Sequence, residues 1–144
     1  MVRVVTDSAT VAGRLRPVIL RLARELRREI HSLGVTGGQV SLLEAIRHAP
    51  GITASELAER ERVSAPGMSG QLVRLEAAAL IERVRADDRR RIGLYLTEEG
   101  EKVLRSVRNR RTAWLVSRLE ALEPAERERI HDAIDALKKL VGPD

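Results

Sequence analysis

Residues 80–100 read LIERVRADDRRRIGLYLTEEG, and the way this stretch folds decides what the chain around it must be. Ile92, Leu94 and Leu96 alternate with Arg91, Gly93 and Tyr95, a period of two that puts the aliphatic side chains on one face of a strand, packed on a core. On the outgoing limb Val84 and Ala86 keep that period less cleanly. Asp87, Asp88, Arg89 and Arg90 are polar enough for an exposed tip. The stretch therefore reads as a β-hairpin with three consecutive arginines, Arg89, Arg90 and Arg91, at or beside a projecting turn. Guanidinium groups on a short arm suit phosphate contacts and entry into a narrow minor groove, where negative potential is strongest. The alternative is a solvated tip with Asp88 screening its neighbours, and what precedes the hairpin weighs between the two.

Working back from it, Ser64 is placed to cap a helix with Pro66 in its first turn, running to about residue 78. Met68, Leu72 and Leu75 fall on one side of that helix, and Ser69, Gln71, Val73 and Arg74 are distributed over the others. Before it, Thr53 and Glu56 stand at capping-box spacing at the head of a short helix with Leu57 and Ala58, ending near residue 62. Two turns of helix cannot stand alone. Short helix, tight turn, second helix, hairpin is the order of a winged helix-turn-helix, with the second helix as the reading element and residues 87–91 as the wing tip. The start of the second helix is built of small residues, Ser64, Ala65, Gly67, Ser69 and Gly70. They let the backbone lie close to base edges and offer N–H groups to a phosphate. Glycine in a helix costs about 1 kcal/mol relative to alanine. Gly67 and Gly70 therefore ask for a reason, either close approach to DNA or a fit against the neighbouring helix. Arg74, a turn further on, is expected to reach a phosphate or a guanine edge; otherwise it is an exposed arginine paired along its helix.

Outside this segment the chain is helical. Val11, Leu15, Val18, Ile19, Leu22, Leu26 and Ile30 recur at spacings of three and four over residues 9–31, opposite Arg14, Arg21, Arg24, Arg27 and Arg28; residues 1–8 read as a loose terminus. Thr36 caps a helix with Val40, Leu42, Leu43 and Ile46 that stops before Pro50-Gly51. Thr97 caps a long helix opening Glu98-Glu99 and running through Val103, Val107, Trp114, Leu115 and Leu119 to about residue 122. Pro124 starts a last helix whose Ile130, Ala133, Ile134, Leu137, Leu140 and Val141 make one stripe. The first helix and the last two carry apolar faces that need a partner, and a second subunit would supply one. The fold class expected is mainly α with a small β-hairpin: one domain, 1–144, with a DNA-binding lobe at 36–97 and dimerisation helices at 9–33 and 98–142.

Composition agrees and excludes much. With one Trp, one Tyr and no Phe in 144 residues, the core must be aliphatic and packed between helices. Lys and Arg number 26 against 21 Asp and Glu, a formal charge of +5, so the position of the arginines matters more than their excess. No cysteine is present, which removes disulfides, thiol nucleophiles and thiol sensors. No leader and no run of about 18 apolar residues appears, so no membrane is expected as partner and the location expected is cytoplasmic. There is no phosphate-binding glycine loop, nucleophile elbow or histidine-rich metal motif. His31, His48 and His131 have no short ligand spacing, and Glu120, Glu126 and Glu128 lie among arginines as solvated ion pairs do. An enzyme, a metal and a cofactor are therefore not expected.

At this point the residues resemble a family. Thr36, Gln39 and Leu42 in VTGGQVSLLEAI, then ITASELAERERVSAPGMSGQLVRLEAAALIER, then DDRRRIGLYLTEEG, are similar to the MarR family of bacterial transcription regulators, from about Leu15 onward. The resemblance implies a homodimer held by the first and last two helices, recognition helices in successive major grooves, and wings in the flanking minor grooves. It implies that the arginine of the Asp-x-Arg pattern, Arg90, enters the minor groove and that Asp88 braces it. It also implies repression, relieved by a small aromatic or lipophilic effector bound between the helices and the lobe. The sequence does not identify that pocket: Trp114 and Arg21 are conceivable lining residues, while a lone Trp on a long helix is more often core or interface. The residues expected at double-stranded DNA are Thr53, Ser64, Ala65, Pro66, Gly67, Ser69, Gly70, Gln71, Arg74, Asp88, Arg89, Arg90 and Arg91. Two positions depart from the family pattern. Ala79 stands where glycine is common, so that turn is expected to be built differently, and Gly70 replaces a longer polar residue. A winged-helix module that binds an acidic protein, and an architectural DNA-binding protein of little sequence preference, are the rival readings.

Overall fold

Aliphatic residues at helical spacing need a common interior, and they find it in the middle of the chain. A computed structural model describes residues 7–87 and 90–143. It runs α1 (Ser8–Glu29), a 3-10 turn (His31–Leu33), α2 (Gly37–His48), α3 (Ala54–Glu61), α4 (Ala65–Ala77), β1 (Ile81–Arg85), β2 (Ile92–Leu96), α5 (Glu98–Glu120) and α6 (Pro124–Val141). The core gathers Val40, Leu43 and Ile46 of α2, Leu57 of α3, Met68, Leu72 and Leu75 of α4, Leu94 of β2, and Leu104 and Val107 of α5. Among the described residues no charged or polar side chain is buried. Neither α1 nor α6 buries a single residue.

Local chemistry sets most of the boundaries. Thr36, Thr53, Ser64 and Thr97 each accept, through the side-chain hydroxyl, the N–H three residues on. Each satisfies one of the four donors a helix start leaves open. At Thr36 the box is complete, because Gln39 accepts the Thr36 N–H in return at 3.0 Å. At Thr53 only half forms, because the Glu56 carboxylate turns to Arg91. Of the terminus expected to be loose, residues 1–6 lie outside the described residues, and its last two are ordered otherwise: Ser8 opens α1 and Asp7 caps it, its carboxylate accepting the Thr10 N–H at 2.9 Å and the Thr10 hydroxyl at 2.8 Å. α1 continues through Pro17, although proline removes one helical hydrogen bond.

The strands pair antiparallel with Ile81 opposite Leu96, Arg83 opposite Leu94 and Arg85 opposite Ile92. A third strand position, not expected from the sequence, lies at Ile52, whose carbonyl accepts the Leu94 N–H at 2.9 Å while Gly51 N–H donates to the Leu94 carbonyl. Gly93 packs against this segment so closely that a Cβ would stand 3.0 Å from Gly51 Cα. The aliphatic face of β2 reaches the core only at its base. Leu94 is buried, Leu96 is half-buried, and Ile92, out toward the tip, is 39% exposed. Val84, opposite Gly93, lies on the other face and is 46% exposed.

The junction from α4 through β1 to α5 is tight. Ala79 takes a left-handed conformation, φ 60°, so the turn keeps the geometry glycine would have given it, contrary to expectation. Its neighbours close the helix: Leu80 N–H donates to Leu75 O at 3.0 Å and Ala79 N–H to Glu76 O at 2.9 Å, the pairing that satisfies carbonyls at a helix end. The Thr97 hydroxyl donates to the Ala79 carbonyl at 2.6 Å and its N–H to Leu80 O at 3.1 Å. Gly100, one turn into α5, leaves no room for a Cβ, which would collide with the Leu80 carbonyl oxygen.

Candidate nucleic-acid interface

α3 ends at Arg62, left-handed at φ 55°, and the Val63 N–H closes it onto Ala58 O at 2.9 Å. Two residues later α4 begins. Met68, Leu72 and Leu75 turn inward, so at roughly 100° per residue the face directed away from the core carries Pro66, Gly70, Val73 and Ala77. Ser69 stands on one flank and Arg74 on the other. Ser64, Ala65, Pro66, Gly67, Ser69, Gly70 and Arg74 are all exposed, while Gln71 is half-buried.

The two glycines separate. A Cβ on Gly67 would stand 3.0 Å from the Ser64 hydroxyl and 3.2 Å from Val63, whereas one on Gly70 would meet nothing within 4 Å. Gly67 is therefore accounted for by its own helix cap, and Gly70 leaves an open notch. Arg74 makes no ion pair among the described residues. The sequence reading left out Val73, which is 57% exposed. Its position could have been found by counting around the helix from Met68, Leu72 and Leu75.

The hairpin stands beside this helix and is tied once to α4 and once to α3. Arg83 Nε donates to Glu76 of α4 at 2.6 Å. Arg91 forks onto Glu56 of α3 at 2.8 and 3.3 Å and reaches the Gly51 carbonyl at 3.4 Å. Arg91, expected at DNA, is thus placed at the neck of the hairpin, against a carboxylate. Exposed pairs of this kind contribute under about 1 kcal/mol each, but they fix where the arm points. The Ala86 N–H donates to Arg91 O at 3.0 Å and closes the arm. Beyond that bond Arg90 lies exposed in the turn. Asp88 and Arg89 lie outside the described residues. Thr53, the remaining sequence candidate, caps α3 beside the Ile52 strand position.

Away from this face, clefts border α1, and among the described residues two of them are lined by α1 and α5 together. One of about 460 Å³ is lined by Val18, Arg21, Leu22, Glu25, Trp114 and Arg118, with the Arg118 guanidinium 5.1 Å from the centre of the half-buried Trp114 ring, a cation–π distance. It brings together Trp114 and Arg21, the two lining residues named from sequence. The other, about 410 Å³, lies between α1, the start of α2 and α5, lined by Arg27, Gly37, Gly38 and Arg111 among others. Arg111 Nε is buried there without a hydrogen-bond partner. Among the described residues no cluster of His, Asp or Glu could hold a metal, and no helix is long and apolar enough to cross a membrane.

Comparison with known proteins agrees with this arrangement. The model of the MarR family matches residues 33–92. An HTH-type transcriptional regulator of Mycobacterium tuberculosis is 30% identical over 136 residues, 94% of this chain and 95% of the relative. The crystal structure of a protein from Pseudomonas aeruginosa PA01 superposes with a TM-score of 0.83 at 31% identity, over 96% of this chain and 99% of the other. The fold is also that of a mutant of S. aureus MepR bound to an oligodeoxyribonucleotide, with a TM-score of 0.71 at 20% identity, over 90% and 96% of the two chains. Helix-turn-helix, hairpin and flanking helices together place this chain in the MarR family of winged-helix transcription regulators, DNA-binding proteins that are not enzymes.

Proposed function

We propose that the protein acts in the cytoplasm as a homodimeric repressor on a pseudo-palindromic operator and releases it when a small effector binds. The observation that carries this reading is the arginine-bearing hairpin tied beside the exposed outward side of α4, by Arg83 to Glu76 of α4 and by Arg91 to Glu56 of α3. In this reading Ser69, Gly70 and Arg74 meet base edges in the major groove, with Gln71 at the margin. Thr53, Ser64, Ala65, Pro66 and Gly67 present the starts of α3 and α4 to phosphates. Arg90 enters the minor groove with Asp88 and Arg89 beside it, and Arg91 anchors the arm.

Residues 36–97 form the DNA-binding lobe, and residues 9–33 and 98–142 the dimerisation helices. Support for the dimer comes from apolar residues left uncovered: Val18 and Ile19 on α1, and Ile130, Ile134, Leu137 and Leu140 on α6. A helix of 18 residues with no buried residue lacks the packing of an amphipathic face from which helices in proteins draw most of their stability. Two-fold symmetry then spaces half-sites about one turn of DNA apart. Support for an effector comes from the two clefts lined by α1 and α5, of which the one with the unpaired Arg111 Nε and Arg27 favours an anionic group. An effector releases DNA only by binding the two conformations with different affinity.

The test is binding to DNA upstream of the protein's own gene and to scrambled DNA over a salt series, with Arg90→Ala alongside. A dimer that neutralises about eight phosphates gives a log–log salt slope near −7 and prefers its operator by on the order of a thousandfold. Arg90→Ala weakens binding to all sites. Equal affinity for both DNAs points to an architectural protein or to an operator elsewhere in the genome, and no affinity for either, in a folded dimer, to a protein-binding module.

A further inference from the structure

The outward face of α4 is poor in hydrogen-bonding groups. Between Ser69 and Arg74 on its flanks it presents Gly70, Val73 and Ala77, all exposed, and Val73 is the only one of the three with a side chain longer than a methyl. A β-branched residue is an unfavourable choice for a solvent-facing helix position, because it loses side-chain freedom there and gains no packing. The open space around Gly70, one turn earlier, has no atom among the described residues within 4 Å of where a Cβ would be, and Val73 beside it is 57% exposed to a surface laid against the helix. Base pairs in the major groove offer one apolar group, the 5-methyl of thymine.

We propose that Val73 is a base-reading residue that selects thymine through its 5-methyl group, with the Gly70 notch admitting the base edge and Arg74 beside it on the backbone or a neighbouring guanine. The assignment rests on α4 being the element that enters the major groove. It explains why the centre of the reading face is apolar. It also makes specificity at this position a matter of methyl contact and shape, not of hydrogen bonds.

The experiment uses the full chain. Duplexes enriched from a random pool by the wild-type protein supply the binding site, and each thymine in it is replaced singly by deoxyuridine, which removes only the methyl. Val73→Ala and Val73→Thr are measured on the same duplexes; both change an exposed side chain, and circular dichroism checks that the fold is kept. Burying one methyl corresponds to about a fourfold change in Kd. One thymine per half-site should therefore weaken the wild type by about fourfold when its methyl is removed, and roughly fifteenfold when both half-sites are changed. With Val73→Ala the same replacement should alter Kd by less than about twofold. A wild type indifferent to every thymine methyl overturns the assignment, as does a Val73→Ala protein that keeps the full sensitivity. A wild type that enriches no sequence overturns the underlying DNA reading and this assignment with it, a result distinct from the other two.

Discussion

Replacing Ala79 by glycine should stabilise this protein, and replacing its neighbour Ala78 by glycine should do the opposite. Ala79 sits at φ 60°, in the left-handed region, whereas Ala78 sits at φ −80°. An L-residue pays roughly 1–2 kcal/mol for the left-handed conformation because its Cβ crowds the following carbonyl; glycine removes that term. Glycine also gains freedom in the unfolded chain, worth about 0.5–1 kcal/mol in the other direction. The Ala79 side chain is exposed, and both of its hydrogen bonds, to Glu76 O and from the Thr97 hydroxyl, run through the backbone. No contact is lost, so the net gain is about 0.5–1 kcal/mol. At Ala78 only the entropic term operates, and the loss is about 0.5–1 kcal/mol. Urea unfolding at one fixed protein concentration, which holds any subunit association constant, should show the two midpoints moving apart with unchanged slope. In thermal melts Ala79→Gly should raise Tm by roughly 1–4 °C. Two variants that shift together, or an Ala79→Gly that destabilises, would refute the left-handed turn as the source of the strain.

At Gly100, alanine should lower stability by about 2 kcal/mol or more. The new Cβ collides with a backbone carbonyl, Leu80 O, that is itself held by the Thr97 N–H, and a drop in Tm of less than roughly 2 °C would show that the junction has slack. Hydrogen bonds from the Thr10 N–H first, and then the Thr10 hydroxyl, hold the Asp7 carboxylate below its ordinary titration range. The charged cap therefore supports the start of α1 at pH values above the unfolded carboxylate's range and is lost as pH falls through the lowered folded value. The protection of the Thr10 amide, its exchange rate taken relative to the base-catalysed intrinsic rate at each pH, should fall at the acid end of a pH series, and Asp7→Asn, which caps without titrating, should flatten that dependence.

What could be read from sequence and what could not divide along the distance over which the chemistry acts. Thr36, Ser64 and Thr97 each cap a helix through a bond spanning three residues, and such signals lie wholly within a short window. The alternation of Ile92, Leu94 and Leu96 located β2, but a period of two says which side chains share a face and not how far the core extends beneath them. Leu94 lies over the core and Ile92 beyond its edge. The Ile52 strand position depends on one antiparallel bridge across 42 residues of chain, too short to leave a pattern. The Glu56–Arg91 pair joins residues 35 apart, so an arginine that looked like part of the reading tip is placed at the neck of the arm. Ala79 departs from expectation because the penalty on its own backbone is visible in the sequence, while the Thr97 and Glu76 partners that hold it there are not. At the candidate interface, residue types pointed to the start of α4 and to the arginines. Val73 was within reach of the same sequence, opposite the side set by Met68, Leu72 and Leu75, but an aliphatic side chain carries no charge or hydrogen-bonding group to mark it as a DNA contact.

The absence of slack where α4, β1 and α5 meet has a mechanical consequence. With Thr97 bonded to both Ala79 and Leu80, and Gly100 pressed under the Leu80 carbonyl, the end of α4 and the start of α5 act as one rivet, and α4, its Met68, Leu72 and Leu75 seated in the core, is a stiff arm fixed to it. The 13 residues of that arm span about 20 Å. A rotation of about 5° at the rivet swings its free end by roughly 2 Å, more than a hydrogen bond to a base edge tolerates. A small tilt of α5 is thereby magnified at the far end of α4, where Ser64 and Ser69 lie.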